Sequence, residues 1–94
     1  MRIAGILWLD QVVDKLASKH SVETYEVEEL LSNQPKFRFA AQGDRPGEDV
    51  YLGLGQTDGG RFLVVYFIYK RTREALILSS RDMEHKERRI YERK

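Results

Sequence analysis

The side chains best suited to chemistry lie near the carboxyl end of the chain, where an apolar segment leads into a highly charged one. Arg81 comes soon after the apolar segment, and Glu87, Arg88 and Tyr91 follow it closely. We expect the apolar segment to be a strand and the charged one a helix, so that Arg81 lies at the rim of a sheet beside that helix. An arginine holds a phosphate group with two parallel N–H donors, and this rim therefore suits a phosphate-bearing ligand.

An alternative interpretation is an ordinary solvated helix, because runs of mixed charge usually face water. In that case Arg81 and Arg88 would form surface ion pairs with Glu84 and Glu92. Glu87 fits this alternative less well, since it shares a helical stripe with the apolar residues of the segment. A partly buried carboxylate needs a partner, and we expect Glu87 to orient Arg81 or a histidine.

A second candidate group lies near the amino end, where His20 closes an apolar stripe at positions 9, 12, 13 and 16. An imidazole can accept or donate a proton near neutral pH, so His20 is a candidate general base or acid. Lys19 is next to it and could stabilise negative charge. The alternative is a histidine whose polar atoms are satisfied at a helix end. We expect His20, Arg81 and Arg88 to open onto one cleft, with Glu87 turned toward it.

Composition limits the class of protein. The 94 residues suffice for one domain, 1–94, and the 41% of apolar residues argue against disorder. The absence of cysteine excludes disulfides and thiolate metal sites, and we expect no metal or other cofactor. The apolar runs are far shorter than the roughly 20 residues of a membrane span, and we expect a soluble cytoplasmic protein with no membrane partner. A net charge of +1 argues against coating of nucleic acid by bulk charge, but it allows a local basic site.

The periodicity of apolar residues changes from helical to alternating after Pro35. We expect Asp10 to cap the first helix, Gly53 and Gly55 to mark a bulge or a close backbone approach, and Asp58-Gly59-Gly60 to form a hairpin turn. The predicted strands are 3–9, 36–41, 49–56, 62–69 and 75–78. The first predicted helix follows Asp10 and carries the stripe that ends at His20, and the other two are 24–31 and 84–92. This order predicts an α+β fold: an antiparallel meander of four to five strands with two N-terminal helices and one C-terminal helix, packed on one face.

Short motifs occur in a fixed order along the chain: Trp8, Lys19-His20-Ser21-Val22, an acidic helix around Glu26, Gly47-Glu48 with Tyr51 and Gly53, Gly60-Arg61, Leu63-Val64-Val65-Tyr66, Ile77-Leu78-Ser79-Ser80-Arg81 and Glu87-Arg88-Arg89-Ile90-Tyr91-Glu92. As an ordered set they resemble the BrnT family of toxins from bacterial type II toxin–antitoxin pairs. That family consists of small ribonucleases with a RelE-like fold.

The resemblance implies metal-independent endonucleolytic cleavage of RNA, neutralised by a cognate antitoxin with which the toxin forms a hetero-oligomer. We expect a catalytic set comprising His20, Lys19, Arg81, Glu87 and Arg88. The expected substrate-binding residues are Arg45, Glu48, Tyr66 and Tyr91, with Arg45 on a loop that could close over the substrate. Two alternatives remain open at this point: a non-catalytic module that binds RNA or a protein at the same rim, and a structural interaction domain with no nucleic-acid role.

Overall fold

The apolar segments that follow Pro35 form strands of one sheet, and helices cover both of its faces. The computed structural model describes residues 1–93. Its elements, in chain order, are β1 (Gly5–Leu7), α1 (Asp10–His20), α2 (Thr24–Ser32), β2 (Lys36–Ala41), β3 (Val50–Gln56), β4 (Phe62–Tyr69), β5 (Glu74–Asp82) and α3 (His85–Glu92). None of the helices in this part of the chain is long and apolar enough to cross a membrane. The element order is the predicted one.

The sheet is a meander with one added edge strand, in the order β1-β5-β4-β3-β2. Strands β2 to β5 pair antiparallel, as predicted. Strand β1 instead pairs parallel with β5, with Gly5 opposite Glu74 and Leu7 opposite Leu76. The two helices that follow β1 carry the chain from one edge of the sheet, at β1, to the other edge, at β2. Strand β1 therefore lies beside β5, and the two run parallel. The fold is α+β with a mixed, mostly antiparallel sheet.

The main core lies between the first two helices and one face of the sheet. Helix α2 approaches β3 so closely that a Cβ atom built on Gly55 would lie 2.9 Å from Cγ of Leu30. Gly53 and Gly55 therefore mark a close approach of helix to strand, while the register shifts occur in the β2–β3 pairing and in the β4–β5 pairing. The buried apolar side chains of this core are Val12, Leu16, Val22, Val27, Leu30, Leu63, Val65, Phe67, Ala75 and Ile77.

Helix α3 packs on the other face, and the prediction that the helices share one face is wrong. Side chains alternate along β4, so Phe62 and Val64 point away from the face that carries Leu63 and the main core. The Tyr91 ring meets Phe62 edge-on, with ring centroids 6.0 Å apart. Because the second face is also apolar, it needs a cover, and α3 provides one.

Helix starts differ from the predicted capping. Asp10 does not cap α1; the N-cap residue is Leu9, and Asp10 lies in the first turn, where its charge suits the positive end of the helix dipole. Helices α2 and α3 each begin with a capping box, formed by Glu23 with Glu26 and by Glu84 with Glu87. Glutamate thus serves as the N-cap residue in both helices.

Gly55→Ala tests the close approach of α2 to the sheet. The added methyl group must displace Leu30 or the helix backbone, and we expect the free energy of unfolding to fall by about 1–3 kcal/mol, the usual cost of overpacking a core. Gly59→Ala is the matched control, since its Cβ atom would meet nothing closer than Thr57 Oγ1 at 3.9 Å. Urea unfolding of the two variants measures the difference, and equal stabilities would contradict the packing described.

Candidate functional site

Strand β5 is longer than predicted and carries Arg81 and Asp82 as its last two residues. Arg81 pairs with Val64, and Asp82 pairs with Leu63. Successive strand residues point to opposite faces, so Arg81 faces α3 and Asp82 faces the helices α1 and α2. One end of the sheet therefore carries two charged clusters, one on each face.

On the α3 face, Arg81 holds Glu87 in a two-point ion pair. Its Nη1 and Nη2 atoms donate to the two carboxylate oxygens of Glu87 over 2.8 and 2.9 Å. Nη2 also donates to the Tyr66 hydroxyl at 3.2 Å, and Nη1 donates to the backbone carbonyl oxygen of Asp82 at 3.1 Å. An arginine has five N–H donors, so only the Nε–H is left by these four bonds. The guanidinium is therefore held by the protein itself, and a ligand phosphate seeking its two-point fork would have to displace Glu87.

The pairing fixes the charge of Glu87 and the start of α3. The hydrogen bonds from Arg81 lower the pKa of the Glu87 carboxyl below its ordinary value, against the opposing effect of partial burial. The same carboxylate accepts the backbone N–H of Glu84 at 2.8 Å. Glu87 is thus ionised near neutral pH and anchors the first turn of α3 to the sheet. This geometry agrees with the predicted contact between Glu87 and Arg81.

On the opposite face, Arg61 joins four parts of the chain. Its Nε atom donates to Asp82 at 2.8 Å, and Nη1 donates to the carboxylate of Glu26 at 3.1 Å. Nη1 and Nη2 also donate to the backbone carbonyl oxygens of Ser21 and His20, at 2.7 and 3.1 Å. The ends of α1 and β5 and the starts of α2 and β4 therefore converge on one guanidinium.

Arg61 and Glu26 were missed as site residues by the sequence-based assignment. The acidic sequence around Glu26 gives no sign that this side chain is buried, yet only 9% of its surface is exposed. Two signals existed: Arg61 directly follows the Gly59-Gly60 turn, and both residues lie within the motifs that carry the family resemblance. Neither signal indicates that Arg61 and Glu26 pair with each other.

His20 lies at the same end of the sheet as the arginines, beside Asp82. The hydrogen bond from Arg61 lowers the pKa of the Asp82 carboxyl, and the charge of His20 contributes to the same shift. Asp82 also accepts a bond from Arg81 through its carbonyl oxygen. The two clusters thus meet at Asp82. The prediction of a single open cleft is replaced by a rim with His20 on one face and Arg81 on the other.

Arg88 is the more accessible of the two predicted phosphate-binding arginines. Its guanidinium carbon lies 4.0 Å from the centre of the Phe62 ring, and its side chain is 50% exposed, against 30% for Arg81. Its ion pair with Glu92 is long, at 3.5 Å. An exposed pair of this kind contributes little and exchanges readily for another anion. Arg88 is therefore positioned to accept a phosphate without breaking a buried contact.

Lys19 is exposed in the last turn of α1, next to His20. Within residues 1–93 its ammonium group forms no ion pair, so it is free to meet an anion at this rim. In the same part of the chain, no three histidine, aspartate or glutamate side chains are grouped to hold a metal ion. The chemistry available at the rim is that of an imidazole and of two exposed cations.

The placement of Arg45 and Glu48 in this site is wrong. Their loop connects β2 to β3 and lies beyond Val50, which pairs with Ile68. The level of Arg81 is that of Leu54, four residues further along β3, or about 13 Å at the usual rise per strand residue. The β2–β3 loop therefore lies at the end of the sheet opposite to Arg81. Arg45 does not reach a ligand at the rim.

The architecture matches that of a known toxin. The crystal structure of the Brucella abortus ribonuclease toxin BrnT aligns with a TM-score of 0.62 and 17% sequence identity, covering 86% of this chain and 97% of that chain. No family model matches the sequence, and no curated protein matches it either. At this identity the likeness establishes the fold, so the chain has the BrnT toxin fold that the ordered motifs predicted.

Glu87→Gln tests the Arg81 ion pair through its dependence on pH. The folded pKa of Glu87 lies below its ordinary value of 4.5, so its stabilisation is complete above pH 4.5 and is lost as the pH falls through the folded value. The glutamine cannot form the ion pair at any pH. We expect the stability difference between wild type and variant to be largest above pH 4.5 and to shrink below it.

Chemical denaturation between pH 3 and pH 7, roughly the range in which carboxylates titrate, measures this difference. Glu92→Gln is the control, because it removes a glutamate of the same helix whose ion pair is long and exposed. A stability difference for Glu87→Gln that does not change with pH would show that the ion pair is not the cause.

Proposed function

We propose that the chain is a metal-independent endoribonuclease toxin of a type II toxin–antitoxin pair, inhibited by a cognate antitoxin. The observation that carries this proposal is the fold shared with the BrnT ribonuclease toxin over 86% of the chain. The gathering of His20, Arg81, Glu87 and Arg88 at one end of that fold supports it. RNA is the proposed substrate, the antitoxin the proposed partner in a hetero-oligomer, and the cytoplasm the proposed compartment.

Cleavage of RNA without a metal needs three functions. A base must take the proton of the 2′-hydroxyl group, cations must stabilise the phosphorane, and an acid must protonate the leaving 5′-oxygen. We assign His20 to proton transfer, as base or acid. Lys19 and Arg88 stabilise the phosphorane, because both are exposed and neither is held by a buried partner.

Arg81 and Glu87 have a positioning role in this proposal. Glu87 fixes the first turn of α3 through Arg81 and through the backbone of Glu84. Arg88 follows Glu87 directly in the helix, so the ion pair sets the position of the phosphate-binding guanidinium. Tyr66 and Tyr91 lie on the same face, where Tyr66 accepts a bond from Arg81 and Tyr91 packs on Phe62.

A second candidate is a non-catalytic RNA- or protein-binding module on the same rim. One observation favours it: four N–H groups of Arg81 are already bonded within the protein. Fewer cations then remain to stabilise a transition state, whereas exposed cations suffice for binding. The cleavage assay below separates the two candidates.

The proposal predicts that purified protein, free of antitoxin, cleaves RNA in the presence of EDTA, and that its expression alone arrests growth. His20→Ala and Arg88→Ala should each lower the cleavage rate by roughly 10²- to 10⁴-fold, the usual effect of losing an acid–base group or a charge stabiliser. Lys15→Ala, which removes an exposed cation from the outer side of α1, should retain the wild-type rate. Gel analysis of a labelled RNA gives these rates.

Arg81→Ala should also lose activity, but it leaves Glu87 without its partner and must first be shown to fold. Arg81→Lys is its companion, because it keeps the charge and loses the two-point fork. Thermal melting of both variants separates unfolding from loss of chemistry. Full activity in His20→Ala and in Arg88→Ala would remove the proposed mechanism. A folded, antitoxin-free wild type that cleaves nothing would favour the binding module.

A further inference from the structure

A cavity of about 350 Å³ lies between α3 and the second face of the sheet. Its floor is apolar and is formed by Leu52 and Leu54 of β3 and by Ile90 of α3. The cations Arg38 of β2 and Lys86 of α3 stand at its rim, and the carboxylates of Glu84 and Glu87, which lie near Arg81, also line it. The site described above shares Glu87 with this cavity but not its apolar floor, and the volume of the cavity is near the lower end of the range for small-ligand sites.

The two rim cations have little to bind within the protein. The Arg38 guanidinium donates to the carbonyl oxygen of its neighbour Phe37 at 2.9 Å, and its residue is exposed. Lys86 is exposed and forms no ion pair within residues 1–93. An apolar floor between two available cations suits a flat, apolar-faced group that carries anionic groups on either side. A nucleotide within a chain has this pattern, with a base between two phosphates.

We infer that this cavity binds one unpaired nucleobase of single-stranded RNA, with the flanking phosphates on Arg38 and Lys86. A base in a duplex is paired and stacked and cannot enter, so the cavity selects single strands. Glu87 lines the cavity and also holds Arg81, which makes the cavity continuous with the rim that carries Arg88. The bound base is therefore close to the bond that the rim is proposed to cleave. The inference rests on the proposed function in that it names the form of RNA recognised.

The test measures binding separately from cleavage. A fluorescent hexanucleotide with 2′-O-methyl riboses lacks the attacking hydroxyl group, so its anisotropy reports affinity alone. We expect Arg38→Ala combined with Lys86→Ala to weaken binding about tenfold, which is a modest loss for two phosphate contacts. The matched control is Arg2→Ala combined with Lys15→Ala, which removes two exposed cations that do not line the cavity. That control should bind within about twofold of wild type.

The role of the base is tested with an abasic form of the same oligonucleotide. We expect wild type to bind it about tenfold more weakly than the intact form, since the loss of one buried base removes a contact of that order. Leu52→Trp fills the cavity without changing charge and should abolish this difference, and thermal melting verifies that the variant folds. Duplex RNA of equal charge should not compete with the single strand.

Two results would overturn the inference: equal affinity of wild type for the intact and abasic forms, or a cavity variant that binds like its matched control. A protein that shows the base-dependent binding yet cleaves no RNA contradicts the proposed function and leaves the base site in place. A protein that cleaves RNA but binds the intact and abasic forms equally contradicts the base site and leaves the proposed function in place. The two failures are therefore distinguishable.

Discussion

The contacts of Arg61 with Glu26 and Asp82 are the constraint on which the rest of the structure depends. Glu26 is largely buried at the start of α2, and a buried carboxylate without a partner is strongly unfavourable. Arg61 satisfies it and binds the carbonyl oxygens that end α1 as well. The guanidinium thereby joins the two N-terminal helices to the end of the sheet. His20 owes its place at the rim to this junction.

The three arginines at this end of the sheet, Arg61, Arg81 and Arg88, have different roles. Arg61 and Arg81 are held by carboxylates and by carbonyl oxygens, and their role is to position backbone and neighbours. Arg88 lies on the Phe62 ring with a weak partner and faces solvent. The type of residue is the same in all three cases, and only the surroundings decide which one is available to a phosphate. Phosphate binding at this rim depends, in the proposed function, on the availability of Arg88.

Local patterns predicted the elements well and their long-range partners poorly. The strand at 62–69 and the turn before it follow from apolar alternation and from glycine preference, and both are found. The partner of Glu26 lies 35 residues away, and no periodicity encodes such a pair. The parallel pairing of β1 depends on the free edge of β5, and the placement of α3 depends on the apolar second face of the sheet. Both surfaces exist only after the meander has formed. The misplacement of Arg45 has the same origin, because a loop pattern does not state at which end of the sheet it lies.

The most direct test of this account follows the arginine side chains by nuclear magnetic resonance during addition of the uncleavable RNA. Each Nε–H group gives its own signal, so the three guanidinium groups can be observed at once. The account predicts a large shift of the Arg88 signal and little change at Arg61, whose contacts are internal. A shift at Arg61 or Arg81 with Arg88 unchanged would contradict it, since the held arginines would then be the ones that meet the phosphate.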